Sequence, residues 1–163
     1  MRSANALKAT AGVDEGDLRA ALGRFATGVA FVTGEADGAP LGLIVSSFTA
    51  VSLRPPLVSF CPARDSFTWR RMRTSRRFAV HVLGARHAAF ARRAGAPGAD
   101  RFDGAEPVLR EALAVLDCEL DAEHVAGDHR IVVGRVHEVR VQAVREPLVH
   151  WAGGLGSFRS LGE

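Results

Sequence analysis

The sequence predicts a mainly β domain, an antiparallel barrel with a few short flanking helices. Three observations carry this. Six or seven segments have strand chemistry, and only three short ones have helical spacing. Strands and helices do not alternate regularly, which disfavours a doubly wound parallel sheet. Tight-turn and proline signals separate consecutive apolar runs, as an antiparallel barrel requires. The chain has 163 residues and a mass of 17.4 kDa, the size of one domain. With 47% hydrophobic and 24% charged residues it holds enough apolar material for a core, so neither disulfides nor a structural metal is needed.

Residues 1–13 read as a flexible lead-in to a single domain over 14–163. From Asp14 to Arg24 the positions Leu18, Ala21, Leu22 and Phe25 recur at helical spacing behind an acidic first turn. The period then changes. Residues 28–33, GVAFVT, are β-branched and aromatic, and Gly34–Gly38 reads as a hairpin turn. Leu41–Thr49 and Leu57–Cys61 follow as strands, broken by Arg54-Pro55-Pro56, which no central strand accommodates. Ser66–Thr74 reads as a short helix capped by Asp65 or Ser66, Phe78–Leu83 as a strand, and Ala85–Ala94 as a further helix. A glycine- and proline-containing loop spans Gly95–Gly104. Two long strands follow, around Leu113–His124 and His129–Gln142, and the chain closes with Leu148–Trp151 and a glycine-rich turn.

Two cysteines, Cys61 and Cys118, stand far apart and outside any CxxC spacing, which fits a reducing compartment and a cytoplasmic protein. The N-terminal stretch lacks the apolar region of a signal peptide, and no uncharged run reaches the length of a membrane span. Twenty of the 21 basic residues are arginine. Ten arginines lie between Arg64 and Arg101, and eight acidic residues lie between Asp103 and Asp128. This asymmetry reads either as two solvated faces or as a basic patch for a phosphorylated ligand. Nucleic acid is the weaker partner, because aromatics are scarce there and no recognition motif accompanies the charge.

Three stretches carry chemistry. In Gly42–Leu53 an apolar strand gives way to the hydroxyls of Ser46, Ser47, Thr49 and Ser52, with Val45, Phe48 and Val51 between them. That mixture is a strand end with Ser/Thr turns, or a surface for a flat heterocycle with a polar edge. In Phe60–Trp69 a strand ends at Pro62, and Ser66 and Thr68 sit where a helix begins, beside Arg64. Ser66 caps that helix, or it joins the helix N–H groups in holding phosphate. Gly127-Asp128-His129 is a tight turn, which either fixes a hairpin or lifts the imidazole to a pocket rim. No His/Cys/Asp/Glu set has metal-ligand spacing, and GxSxG, the Walker loop and GxGxxG after a strand are all missing from the sequence.

Phe25-Ala26-Thr27-Gly28-Val29, followed by Gly42, Ser46-Ser47-Phe48-Thr49, Val51-Ser52-Leu53 and Pro55-Pro56-Leu57-Val58, resembles the opening signature of the flavin reductase-like family. Ser66-Phe67-Thr68-Trp69, Phe78–Leu83, Arg101-Phe102, Cys118-Glu119, Gly127-Asp128-His129, Val133–Val136 and Pro147-Leu148 continue it in the family's order, over about residues 17–158. The resemblance implies a six-stranded antiparallel Greek-key split barrel, a homodimer with FMN or FAD at the subunit interface, and NADH or NADPH as co-substrate. It implies that Gly42, Leu43, Ile44, Val45, Ser46 and Ser47 line the isoalloxazine, with Ser52 as a further polar contact. Phe60, Cys61, Ser66 and Thr68 then reach toward the ribityl chain and phosphate, Arg101 and Phe102 close over the flavin, and His129 touches the nicotinamide nucleotide. Ile44 departs from the family's usual threonine, and Ala152–Gly156 departs from its aromatic ending. The expected activity is NAD(P)H-dependent flavin reduction serving a separate flavin-dependent monooxygenase. A flavin-binding or electron-transfer protein without turnover is the alternative. Dimerisation is expected through the short helices and an uncovered Phe48/Trp69 region.

Overall fold

A computed structural model describes residues 12–143 and 145–161. The lead-in expected over 1–13 therefore lies, up to residue 11, outside the described residues. Helix α1 (Glu15–Leu22) starts where Asp14 accepts hydrogen bonds from the Gly16 and Asp17 amides. Strands β1 (Thr27–Gly28), β2 (Ala30–Ala36), β3 (Ala39–Val45), β4 (Thr49–Leu53) and β5 (Pro56–Phe60) follow. Then come α2 (Phe67–Met72), β6 (Arg77–Val82), α3 (Ala88–Ala94), α4 (Glu106–Glu111), β7 (Ala114–Ala126), β8 (His129–Val141), β9 (Leu148–Trp151) and β10 (Gly154–Ser157).

Seven strands form one antiparallel sheet in the order β3-β2-β6-β7-β8-β5-β4. Its edge strands β3 and β4 are joined by chain rather than by hydrogen bonds, so the barrel is split there. A small sheet, β1-β9-β10, lies apart from it.

Strand β2 is buried on both faces, which is why its sequence reads as a continuous apolar run. Ala30 and Val32 point into the barrel, where Phe60, Trp69, Met72, Phe78 and Val132 close a first core. Val29 and Phe31 face outward into a second core with Leu83, Phe90, Val108 and Leu148. Gly42 permits close approach of the second core, since a Cβ there would meet the Phe31 ring at 2.5 Å.

Several sequence expectations are corrected. The expected turn at Gly34–Gly38 contracts to Asp37-Gly38, whose φ values of 55° and 72° suit a two-residue hairpin. The single strand expected over Leu41–Thr49 breaks at Ser46–Phe48, because Ser47 turns its hydroxyl to the Cys61 amide at 2.9 Å instead of continuing a ladder. Helix α4 was not expected; it is six residues long, with a proline in its first turn, where a missing N–H costs nothing. The glycine-rich tail forms β10, since Ala152 and Gly153 with positive φ make the turn and release Gly154–Ser157 to pair with β9. Trp69, expected at an uncovered interface, is fully buried in its own subunit. His87 is buried, and its Nδ1 accepts from the Gly84 amide.

The charge segregation also dissolves in space. Strands β6 and β7 are neighbours, and Arg73–Glu123, Arg76–Glu119, Arg86–Glu111 and Arg93–Asp103 pair across the two runs. They form one mixed surface rather than two faces of opposite sign. No helix among the described residues is long and apolar enough to cross a membrane.

Candidate functional site

A cleft of about 490 Å³ opens where the barrel splits. Its floor is the end of β3, Leu43, Ile44 and Val45, and its rim carries Ser46 and Ser47. The opposite wall is the turn after β5, Cys61-Pro62-Ala63, with Ser66 at the start of α2. His129, beside the turn at the tip of the β7–β8 hairpin, completes it.

Each wall is fixed by a local bond. Ser47 Oγ accepts from the Cys61 amide at 2.9 Å and so ties the end of β3 to the end of β5. Ser66 Oγ accepts from the Trp69 amide at 3.2 Å and caps α2. The hairpin is laced to the turn by backbone: the Arg64 amide donates to Asp128 O at 2.8 Å, and the Arg130 amide donates to Pro62 O at 3.0 Å. His129 Nδ1 lies 2.8 Å from Asp128 Oδ1, a contact that leaves Nε2 as the free nitrogen of the ring. The hydrogen bond to His129 and then its charge hold the exposed Asp128 carboxyl below the usual range. Burial pushes the Cys61 thiol up, so it lines the cleft as a small neutral group rather than as a thiolate.

Eight of the sequence-predicted residues therefore meet in one place: Leu43, Ile44, Val45, Ser46, Ser47, Cys61, Ser66 and His129. Six do not line it. Phe60 is fully buried, edge-on to Trp69 and Phe78, so its side chain supports the wall from inside the barrel instead of reaching outward. Gly42 is buried against Phe31. Phe102 packs on the same Phe31 ring with centroids 5.8 Å apart, and Arg101 donates to the Ala99 carbonyl; neither lines the cleft. Ser52 Oγ accepts from the Arg54 amide at the β4–β5 turn. Thr68 is half-buried on α2 beyond the cleft residues.

A second groove, of about 1030 Å³, runs on from the cleft and shares Ser46, Ser47 and His129 with it. The α1 residues Leu18 and Leu22, then Phe25, form its apolar side, and His150 of β9 its polar side. His150 is a site candidate the sequence reading missed. Its only signal was a polar residue on the same strand face as Leu148, and Leu148 is buried.

The cleft suits a flavin. It has a flat apolar floor, hydroxyls along one edge, and neither acidic nor basic side chains other than the imidazole in its lining. No cluster of His, Cys, Asp and Glu among the described residues is fit to hold a metal ion.

Comparison with known proteins agrees with this geometry. Residues 22–159 match the flavin reductase like domain. The chain is 36% identical over 158 residues to a flavin reductase of Pseudomonas putida, covering 91% of this chain and 93% of that protein. It is 36% identical over 149 residues to the reductase subunit HsaB of a flavin-dependent monooxygenase of Rhodococcus jostii, covering 86% of this chain and 76% of that one. The Streptomyces globisporus NADH:FAD oxidoreductase SgcE6, solved in complex with NAD and FAD fragments, superposes with a TM-score of 0.83 at 32% identity, over 92% of this chain and 96% of that chain. With a matched domain spanning most of its length and a split barrel that opens on an uncharged, hydroxyl-rimmed cleft, this chain belongs to the flavin reductase-like family.

Proposed function

We propose that this protein is an NAD(P)H:flavin oxidoreductase that passes reduced flavin to a separate monooxygenase. The cleft shared with the adjoining groove at Ser46, Ser47 and His129 is the observation that carries this reading, because two planar ligands must meet face to face. Relatives named as flavin reductases and as a monooxygenase reductase subunit support it, and an NADH:FAD oxidoreductase of the same fold favours NADH as the reductant.

When bound, flavin would supply the redox chemistry, a two-electron acceptor for the nicotinamide hydride, and the chain supplies position and shelter. Leu43, Ile44 and Val45 offer an apolar floor to a flat ring. Ser46 and Ser66 present hydroxyls to its polar edge, while Ser47 and Cys61 lock the two walls together. His129 donates from Nδ1 to the Asp128 carboxylate, so the neutral ring turns Nε2 to the nicotinamide nucleotide as an acceptor for an amide or hydroxyl donor. Hydride transfer needs no acid or base, so a cleft without a carboxylate suffices.

The working unit is a homodimer. Helix α1 exposes Leu18, Leu22 and Phe25 along the groove, and a second subunit laid there closes the ligands off from water. Ile44 supports one further reading, flavin binding without turnover, because it places a methyl-bearing side chain in the cleft where the family usually carries a hydroxyl.

Steady-state oxidation of NADH and of NADPH, with FMN, FAD and riboflavin in turn, separates these readings. NADH consumption that depends on added flavin is expected. Tight, non-exchanging flavin with negligible NADH oxidation establishes the binding protein instead. Neither binding nor oxidation overturns both.

A further inference from the structure

We infer that Glu123 is a positioning residue that holds Ser66 and His129 of the cleft at their working separation. Glu123 lies on β7, outside the cleft, with its side chain 13% exposed. Three donors from three different elements converge on its carboxylate. The buried indole of Trp69 on α2 donates to Oε1 at 3.2 Å, and Arg130 of β8 donates to the same oxygen at 3.0 Å. Arg73, just after α2, donates to Oε2 at 2.8 Å.

The two sides that Glu123 joins, the start of α2 and the β7–β8 hairpin, each carry a cleft residue, Ser66 and His129. Trp69 is the residue whose amide Ser66 caps, so fixing the indole fixes the start of α2 and the Ser66 hydroxyl. Arg130 follows His129 directly, and its amide is already bonded to Pro62 O. Its guanidinium, 23% exposed, anchors the hairpin tip from behind. Helix α2 has only six residues and cannot hold its own orientation by backbone bonding alone. A carboxylate largely removed from water, accepting from one indole and two guanidinium groups, resists displacement because each lost partner leaves a desolvated charge. Serving both sides, Glu123 couples the position of Ser66 to that of His129.

This inference rests on the cleft being the site for flavin and nicotinamide nucleotide, and the experiment separates the two ideas. In the full-length protein, FAD affinity is measured by flavin fluorescence, and KM for NADH, kcat and Tm are measured alongside. Glu123→Gln keeps the shape and removes the charge. It should raise both the Kd for FAD and the KM for NADH by about five-fold, the scale of one weakened hydrogen bond at each wall. Trp69→Phe removes only the α2 tie and should raise the FAD Kd while sparing the KM for NADH. Arg130→Met removes only the hairpin tie and should do the reverse. In the Glu123→Gln background neither second change should add its full effect. A folded Glu123→Gln protein with lowered Tm but both constants within two-fold of wild type overturns the inference, since a merely structural role moves only Tm. If Glu123→Gln does not fold, the single variants decide: equal shifts in both constants, or shifts in neither, overturn it. Ser46→Trp fills the cleft itself, and undiminished FAD binding there refutes the location of the site, whatever Glu123 does.

Discussion

The barrel interior and the α1 end of the molecule are built on opposite terms. Inside the barrel, Phe60, Trp69 and Phe78 meet edge-to-face with centroids 5.2 to 6.0 Å apart, and the one polar atom among them, Trp69 Nε1, is bonded to Glu123. At the other end, α1 has a cap, a first-turn acidic pair and an apolar stripe, yet none of its residues is buried. Leu22 is 62% exposed and Phe25 is 74% exposed, and Trp151 of β9 stands half out of the protein beside them. Eight-residue helices are marginal in water by themselves, so such a stripe is stabilised only by something laid against it. The interior is complete within one chain, whereas the α1 end leaves its apolar stripe uncovered.

The largest test of that contrast is Phe60→Ala. Removing a ring buried against two others should cost about 3–5 kcal/mol of unfolding free energy, by loss of transfer energy and a cavity that Trp69 and Phe78 cannot fill. Denaturant titration reads it directly. A loss below about 1 kcal/mol would mean that the barrel interior relaxes far more easily than its packing implies.

Acid sharpens the comparison next. His81 of β6 is buried beneath the second core, with Nε2 3.0 Å from the Thr33 hydroxyl and Nδ1 unpartnered. Burial lowers its pKa from 6.5 to about 4, with the Asp117 charge opposing the shift and the Arg140 charge adding to it. Burial lowers His87 as well, assisted by the charge of Arg86 and opposed by that of Glu111. Depressed folded-state values mean that the unfolded chain binds protons first, so this stability is complete above about pH 6.5 and is lost as pH falls toward 4. For His81 the full effect is roughly 3 kcal/mol. Urea midpoints from pH 7 to pH 4 should fall, and His81→Asn should flatten the slope. An unchanged slope in that variant removes His81 as the cause.

Much of this was legible in the chain. The β-branched and aromatic run at 28–33 announced a strand, and the glycines of Gly34–Gly38 announced its hairpin, though not that the turn is only Asp37-Gly38. Ser46 and Ser47 of the hydroxyl run and the Ser66 cap did meet in one cleft with His129. What stayed hidden depended on distant partners. Phe60 read as a site residue only through the resemblance, and period-2 alternation could not correct it, because it does not say which face of a barrel strand is the inside. Phe102 lies against Gly42, but its packing on Phe31 follows from the second core, which no local signal encodes. The mixing of basic and acidic runs waited on the β6–β7 pairing, and Glu123 gave no sign at all before its three partners were in place.

Nearer the α1 end the expected effects become smaller and fall on ligands. His129→Ala should raise the KM for NADH several-fold, because loss of one hydrogen bond to the nucleotide is worth about 1 kcal/mol. Flavin affinity should stay within two-fold. The imidazole is half exposed and its backbone is held by the Arg64 and Arg130 amide bonds on either side, so Tm should hardly move. Equal KM values for variant and wild type would remove His129 from the nucleotide site.

The smallest effect on the subunit itself is expected from Leu22→Asp. Within one chain Leu22 is mostly exposed, so a polar replacement forfeits almost no burial and should change unfolding free energy by less than about 0.5 kcal/mol when measured at nanomolar concentration. Association should respond quite differently, because a carboxylate placed in the middle of the stripe formed by Leu18, Leu22 and Phe25 must be desolvated when a second copy covers it. Light scattering at micromolar concentration should show the wild type as a dimer and Leu22→Asp as a monomer, with the FAD affinity of the monomer weakened. If the variant stays dimeric, the covering surface lies elsewhere, at Val139 and Val141 on β8 or at Val51 and Leu53 on β4, which are the other exposed apolar pairs. If instead the isolated subunit loses several kcal/mol, Leu22 is buried in solution against its own chain, and the contrast between a finished interior and an unfinished end fails at its unfinished side.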